Sequence, residues 1–226
     1  MRKTVIFGHG FGGHKDNKAA EKFADRVLTK YHDVCVITFN WPCHGDDVRK
    51  KLSLSDCLSY LELVTKDALE RFPETELYAY ATSFGAYLFL LYYQRYGCPF
   101  VRTALRCPAV NMYDVITGTI MTEDDLQKIH KGKDIPVGFD RKVDIGGAFL
   151  AELQENDIRK DDFLDFAENM LILHGTKDEV VPFAASEAFA ENNIIEFIPV
   201  EGADHRFQDP KKMETAIKEI LAFYGW

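Results

Sequence analysis

One serine of this sequence stands between two apolar runs of different character. Ser83 lies in "AYATSFGAYL" (residues 79–88), in which the first half resembles a buried strand and the second half a helix. A serine on such a sharp strand-to-helix turn exposes its hydroxyl, and the turn needs small residues where strand and helix approach each other. Gly85 meets this need on the helix side, whereas Ala81 adds a methyl on the strand side. The pattern leaves two interpretations open, a nucleophilic serine and an ordinary helix N-cap.

Two later apolar runs are followed by residues that could activate this serine. A serine hydroxyl is a weak nucleophile until a base takes its proton, and the base needs an acid that fixes its tautomer. His205 lies in "EGADHRF", after the last apolar run, and Asp178 lies in "HGTKDEVVP", after the preceding one. Glu179 is a competing candidate for the acid. We favour Asp178, because its spacing from "HG" and "VP" places it at the tip of the loop.

Acyl transfer also requires two backbone N–H groups that point at the oxygen on which negative charge develops. Phe84, directly after the serine, would supply one, and Phe11 in the glycine-rich "HGFGGHK" would supply the other. Glycine-rich turns after a first strand can instead bind phosphates. The glycines at positions 8, 10, 12 and 13 do not fit the G-x-G-x-x-G spacing, and no Walker-type lysine–serine pair follows. A dinucleotide site is therefore the weaker interpretation.

Short apolar runs alternate with longer amphipathic segments along the whole chain. Six runs predict strands, at residues 4–10, 34–40, 76–83, 101–110, 169–175 and 194–202. Five segments have helical spacing, at residues 17–31, 53–72, 84–97, 183–193 and 210–225. Strands that are apolar throughout and separated by helices predict a mostly parallel sheet with helices on both faces. Ligands of such sheets gather at the carboxyl ends of the strands, where the candidate residues fall.

Residues 111–168 separate the fourth and fifth predicted strands. A connection of this length usually carries function, as a lid or a binding loop does. We predict that it is a cap inserted into the sheet domain, and that it has too few core residues to fold as an independent domain. The chain then forms a single domain over residues 1–226.

The overall charge and the cysteines exclude several classes of protein. The chain has 27 Lys and Arg against 36 Asp and Glu, a formal net charge of −9, and an acidic surface repels nucleic-acid phosphates. The apolar run near the N terminus is too short for a signal sequence or a membrane span. Five cysteines without a CxxC pair favour free thiols over disulfides or zinc ligands. We expect a cytoplasmic monomer or homodimer without cofactor, metal, nucleic-acid or membrane partner.

Taken together, these segments resemble the α/β-hydrolase superfamily, and within it the small intracellular serine esterases of the cinnamoyl and feruloyl type. The resemblance rests on "GHGFGGHKDNKAAEKFADRV", "ITFNWPCHGD", "ATSFGAYL", "VDIGGAFLAELQENDI", "LILHGTKDEVVP" and "VEGADHRF". It implies the α/β-hydrolase fold, with Ser83 as nucleophile, Asp178 as acid and His205 as base, in the chain order of that superfamily. It also implies an oxyanion hole formed by the N–H groups of Phe11 and Phe84.

The resemblance further implies an acyl pocket beneath the cap, lined by Phe11, Phe149 and Val181. Phe149 stands where such esterases can present a tyrosine, and a phenylalanine cannot hydrogen-bond a phenolic hydroxyl. Two other positions depart from the family pattern, because Asn40 and Cys43 stand where relatives usually have aspartate and glycine.

The expected activity is therefore that of a serine carboxylester hydrolase acting on small or aryl esters, hydroxycinnamoyl esters among them. The same three residues could instead cleave thioesters, small amides or peptides. The negative net charge of the chain disfavours acyl-CoA as a substrate, because the phosphates of CoA need a basic surface. A third alternative is a non-catalytic binding protein of the same fold, although such proteins typically lack one of the three residues, and all three are present here.

Overall fold

The computed structural model describes residues 2–47, 51–138 and 142–226. Its eight strands are β1 (Lys3–Gly8), β2 (Val34–Thr38), β3 (Glu76–Thr82), β4 (Arg102–Arg106), β5 (Ile135–Val137), β6 (Val143–Ile145), β7 (Met170–Gly175) and β8 (Glu196–Val200). Six of them form one sheet in the order β2-β1-β3-β4-β7-β8, and every neighbouring pair is parallel. The predicted six-stranded sheet is thus confirmed.

Helices cover both faces of this sheet. They are α1 (Lys18–Lys30), α2 (Leu54–Arg71), α3 (Phe84–Tyr96), α4 (Met112–Val115), α5 (Glu123–His130), α6 (Gly147–Glu155), α7 (Phe183–Asn193) and α8 (Pro210–Tyr224). Alternate strand residues pack on opposite faces: Val5 and Phe7 join the core beneath α1 and α8, whereas Ile6 joins the core beneath α2, α3 and α7. Within the described ranges, no helix is long and apolar enough to cross a bilayer.

The segment between β4 and β7 packs onto the sheet domain. It contains α4, a π-helical turn (Ile116–Ile120), α5, the antiparallel pair β5–β6 and α6. Its buried apolar residues, Phe149 and Leu153 for example, belong to the same core cluster as Ile6, so the segment shares the core of the sheet domain. The β5–β6 pair was not expected, because three-residue strands are too short to show alternation. Residues 139–141 of the predicted cap lie outside the described residues.

Hydrogen bonds fix this segment to the helices beside it, two of them at α3 and α2. The Tyr87 hydroxyl of α3 donates to the Asn156 carbonyl at 2.8 Å. The Leu54 N–H, at the start of α2, donates to Glu152 Oε2 at 2.6 Å. An N–H in the first turn of a helix has no acceptor within that helix, so the glutamate of α6 satisfies a donor that would otherwise need water.

Candidate active site

Ser83 occupies a strained turn between the end of β3 and the start of α3. Its backbone has φ +54° and ψ −119°, a conformation that non-glycine residues rarely adopt and that clusters at functional sites. The turn is held on both sides, because the Ser83 N–H donates to the Arg106 carbonyl at 3.0 Å and the Ser83 carbonyl accepts from the Tyr87 N–H at 3.1 Å. The Ser83 side chain makes no capping hydrogen bond. The N-cap interpretation therefore does not hold.

Gly85 lies where α3 comes close to the backbone at the end of β1. A Cβ at this position would lie 2.5 Å from the His9 carbonyl oxygen and 2.7 Å from the Gly8 carbonyl oxygen. The helix side of the turn thus requires glycine. On the strand side, Ala81 is completely buried and pairs in register with Gly8, which carries no side chain on that face. The additional methyl is accommodated for this reason.

Replacing Gly85 with alanine is expected to lower the free energy of unfolding by about 1–3 kcal/mol, because the clash is with backbone carbonyls that no rotamer change relieves. Urea titration monitored by circular dichroism measures this loss. The matched control is Gly118→Ala in the π-helical turn, where a Cβ meets no atom within 4 Å. Alanine there is expected to be neutral or to add about 0.5–1 kcal/mol. Equal stabilities of the two variants would contradict this account of the turn.

The structure brings Ser83, His205 and Asp178 into one hydrogen-bonded chain. His205 Nε2 lies 3.1 Å from Ser83 Oγ, and His205 Nδ1 lies 2.7 Å from Asp178 Oδ2. A carboxylate only accepts hydrogen bonds, so Nδ1 carries the proton and Nε2 presents its lone pair to the hydroxyl. The His205 side chain is 13% exposed and the Asp178 side chain is buried. This is the arrangement in which an imidazole can take a proton from serine.

Asp178 is held as an anion by four N–H donors. Its Oδ1 accepts from the N–H groups of Val180 and Val181, both at 2.8 Å, and its Oδ2 also accepts from His174 Nε2 at 3.0 Å. Burial alone raises the pKa of Asp178, but the hydrogen bonds from His174, His205 and Val181 outweigh it and hold that pKa well below its usual range. The carboxylate is therefore ionised throughout the neutral pH range.

His174 and Glu179 take positions that the spacing alone does not reveal. His174 is fully buried, lies four residues before Asp178, and shares Asp178 Oδ2 with His205. Its place in "HGTKD" is the one sequence feature that connects it to the site. Glu179, the competing candidate for the acid, accepts the backbone N–H of His205 at 3.3 Å and not its ring.

The two N–H groups predicted for an oxyanion hole belong to residues that adjoin Ser83. Gly10 and Gly13 close a turn through a 3.0 Å hydrogen bond, and the Phe11 N–H within this turn has no backbone acceptor among the described residues. Phe84 is the first residue of α3, so its N–H has no acceptor within the helix. Gly10 lies directly beside Ser83: a Cβ placed on Gly10 would lie 3.1 Å from Ser83 Cβ. An oxyanion hole at these groups stays a prediction.

The loop after β2, which contains Asn40 and Cys43, supports the glycine-rich loop. The Trp41 N–H donates to His9 Nε2 at 3.3 Å, and the Trp41 indole donates to the His9 carbonyl at 2.8 Å. Asn40 Oδ1 accepts the Lys15 N–H at 2.7 Å, the acceptor role that an aspartate would also fill. Cys43 has φ +64°, in the left-handed region that favours glycine.

His44 is a buried neutral ring beside the predicted oxyanion residues. It lies 6.1 Å from the Phe84 ring, nearly parallel to it, and meets the edge of Phe11 at 5.7 Å. Its Nδ1–H donates to the Pro42 carbonyl at 2.8 Å. Nε2 is buried and has no hydrogen-bond partner in the part of the chain that the structure describes. Burial lowers the pKa of His44 from 6.5 to about 4.

This depressed pKa makes stability depend on pH in a defined window. Between pH 6.5 and 4 the unfolded chain binds a proton at His44 that the folded chain does not, so the free energy of unfolding falls as the pH falls, by about 3 kcal/mol in total. We expect His44→Leu to remove this part of the pH dependence. Urea unfolding of both proteins at pH 7.5 and 4.5 measures it. Identical losses of stability in the two proteins would contradict the assignment to His44.

A cleft of about 890 Å³ opens at Ser83 and His205. It extends between the glycine-rich loop, the first turns of α1, and the start of α8, and Ile120 of the inserted segment contributes to its wall. Of the residues predicted for a pocket, Phe11 lines the cleft. Phe149 is 3% exposed and packs edge-on against Phe84 at 6.4 Å, whereas Val181 is fully buried. The structure does not bring these two to the cleft, and Val180 lines it instead.

One cluster of metal-ligating groups lies within the described ranges. Cys107, His174 and Asp178 offer ligand atoms within 4.8 Å of one another. Burial raises the pKa of the Cys107 thiol well above its usual value, and metals bind the thiolate. Both oxygens of Asp178 already accept hydrogen bonds. These groups are therefore better suited to hold the Asp178 carboxylate beside His205 than to bind a cation.

The family model of the α/β hydrolases, described as "Alpha/beta hydrolase family", matches residues 5–216. The chain belongs to the α/β-hydrolase family. This membership, together with the parallel sheet and the inserted segment, confirms the predicted fold class. No curated protein sequence matches the chain.

Solved structures share the fold of this α/β hydrolase at low sequence identity. Est1E from Butyrivibrio proteoclasticus, solved with ferulic acid bound, is 20% identical with a TM-score of 0.76, over 99% of this chain and 90% of that one. A putative hydrolase from Agrobacterium vitis is 17% identical with a TM-score of 0.79, over 98% and 88% of the two chains. A soluble variant of monoglyceride lipase from Saccharomyces cerevisiae is 14% identical with a TM-score of 0.75, over 98% and 85%.

Proposed function

We propose that this α/β hydrolase is a serine carboxylester hydrolase that acts on small or aryl esters through an acyl-enzyme. The proposal is carried by the continuous chain from Asp178 through His205 to Ser83, with contacts of 2.7 and 3.1 Å. Such a chain supplies the three requirements of a serine nucleophile: a hydroxyl on a strained turn, a base within reach of its proton, and a buried anion behind the base.

In this mechanism, Ser83 Oγ attacks the ester carbonyl carbon while His205 Nε2 takes the hydroxyl proton. The imidazolium that forms is stabilised by the Asp178 carboxylate, which itself stays ionised. The N–H groups of Phe11 and Phe84 bind the oxyanion of the tetrahedral intermediate. His205 then gives its proton to the alcohol oxygen as the ester bond breaks, and a water molecule activated by the same base releases the acid from Ser83.

The substrate range follows from the cleft and from the relatives. The complex of Est1E with ferulic acid makes hydroxycinnamoyl esters candidates, and Phe11 offers an aromatic edge beside Ser83. Phe149 has no hydroxyl and packs behind Phe84, so we place small and simple aryl esters before hydroxycinnamoyl esters. Residues 111–168 act in this proposal as a cap, with Ile120 at the rim of the cleft.

The test is a panel of matched substrates at pH 7.5. We expect kcat/KM for p-nitrophenyl acetate and butyrate to exceed the values for the butyryl thioester and the butyryl anilide by at least tenfold, and methyl ferulate to be cleaved more slowly than p-nitrophenyl butyrate. A thioester or anilide turned over faster than the ester would reassign the activity. Absence of all turnover, combined with no labelling by a fluorophosphonate probe, would favour a non-catalytic binding protein.

A further inference from the structure

We propose that the cleft selects esters that carry a carboxylate, and that Arg106 binds this carboxylate. The inference rests on the proposed esterase function and specifies its substrate class. Arg106 is the last residue of β4, and its carbonyl accepts the Ser83 N–H at 3.0 Å. Arg106 lines the same cleft as Ser83 and His205.

The sheet register places the Arg106 side chain close to the nucleophile. Arg106 pairs with Thr82 of β3, the residue immediately before Ser83. Partners in a parallel ladder direct their side chains to the same face, and neighbouring strands lie about 4.8 Å apart. Thr82 lines the cleft as well. A small molecule attached to Ser83 is therefore within reach of the long Arg106 side chain.

The Arg106 guanidinium is buried without a carboxylate partner among the described residues. The residue is 6% exposed, and the partners that surround it are neutral: Nη1 donates to Met213 Sδ at 3.4 Å, the guanidinium lies 5.0 Å from the Phe207 ring centroid, and the Tyr80 hydroxyl lies nearby. Its Nε is buried and lacks a hydrogen-bond partner in the described ranges. Buried charges are normally paired, because removing them from water is costly. An anionic ligand would supply the missing partner.

The chemistry of the group indicates which anion fits. The planar guanidinium presents N–H donors in a fork that matches the two oxygens of a carboxylate. The wall of the cleft carries four cationic side chains against two carboxylates, in a chain whose net charge is −9. The cationic residues are Lys18, Lys22, Arg106 and Arg206. A local excess of positive charge attracts anionic substrates to the cleft.

The test compares each anionic ester with its neutral methyl ester. In the first pair the anionic ester has its carboxylate on the acyl side (mono-p-nitrophenyl glutarate). In the second pair the carboxylate is on the leaving group (4-carboxyphenyl butyrate). We expect the wild type to prefer the anionic member of at least one pair, and Arg106→Met to reduce that preference by about 10- to 100-fold. Arg106→Lys keeps the charge without the fork and is expected to be intermediate.

The matched control is Arg102→Met. Arg102 lies at the opposite end of β4, partly buried, where it donates to the Phe223 carbonyl and stacks on the Phe223 ring. This variant is expected to keep the wild-type preference for anionic esters. A wild type that treats both members of each pair equally would overturn the proposal even if Arg106→Met does not fold. So would an Arg106→Met variant that slows anionic and neutral esters by the same factor.

A binding measurement separates this proposal from the esterase assignment. Calorimetric titration of the Ser83→Ala variant with monomethyl glutarate needs no turnover. Binding that Arg106→Met abolishes would support the carboxylate site even if no ester is hydrolysed. The absence of hydrolysis would reject only the esterase function. Ester hydrolysis without any such binding or preference would reject the carboxylate site alone.

Discussion

Ser83→Ala is expected to lower kcat for p-nitrophenyl butyrate by about 10⁴- to 10⁶-fold, with little change in KM. Alanine forfeits the hydrogen bond between Ser83 Oγ and His205 Nε2, but the serine side chain does not cap α3. The turn itself is held by backbone bonds to Arg106 and Tyr87. The fold should thus survive while the nucleophile is lost. Steady-state kinetics with an active-site-titrated preparation measures the effect.

The control for this variant is Ser55→Ala on the exposed side of α2. Among the described residues the Ser55 hydroxyl bonds only to that of Ser53, at 2.7 Å. This pair is far in sequence from the candidate site, so activity is expected to stay within about twofold of wild type. If Ser83→Ala keeps more than a tenth of the wild-type kcat, the serine mechanism does not operate and the hydrolase would have to use another group.

Asp178→Asn is expected to lower kcat by about 10⁴-fold near neutral pH. The amide can donate a hydrogen bond to His205 Nδ1, which would leave the ring proton on Nε2, where it faces Ser83 Oγ and cannot accept the serine proton. His174 donates to the same oxygen of Asp178 at 3.0 Å, so the substitution also disturbs the ring beneath the site. Turnover of p-nitrophenyl butyrate from pH 6 to 9 measures the loss.

Glu179→Gln is the matched control, since it makes the same chemical change one residue later. Glu179 accepts the backbone N–H of His205 and not its ring, and we expect the loss of its charge to cost less than about threefold in kcat. Circular dichroism and urea unfolding of both variants separate a kinetic effect from misfolding. A larger loss in Glu179→Gln than in Asp178→Asn would exchange the roles of the two acids.

Much of the architecture follows from local patterns in the sequence. Runs such as "TVIFG" and "LILHG" are apolar on both faces and bounded by glycine, which limits them to buried parallel strands. Residues that follow such strands meet at one edge of the sheet. The sequence therefore predicts that Ser83, Asp178 and His205 lie close together. The order of the six strands agrees with this interpretation.

The features that the sequence does not reveal depend on packing between distant segments. Phe149 is predicted for the pocket, yet α6 directs it against Phe84, which only the packing of the inserted segment decides. A helix and a strand separate His174 from His205 along the chain. The two rings share one oxygen of Asp178 because the loops that follow β7 and β8 meet at the same edge of the sheet. Arg106 has the sequence context of an ordinary strand end.

The central claim is that Ser83 becomes acylated by an ester through His205 and Asp178. The most direct measurement is mass spectrometry of the intact protein, followed by peptide mapping, after rapid mixing with p-nitrophenyl butyrate and acid quench. The account predicts one butyryl adduct, confined to the peptide that contains Ser83 and absent from Ser83→Ala. Hydrolysis that continues with an adduct on a different residue, or with a Ser83 that a fluorophosphonate probe also fails to label, would contradict it.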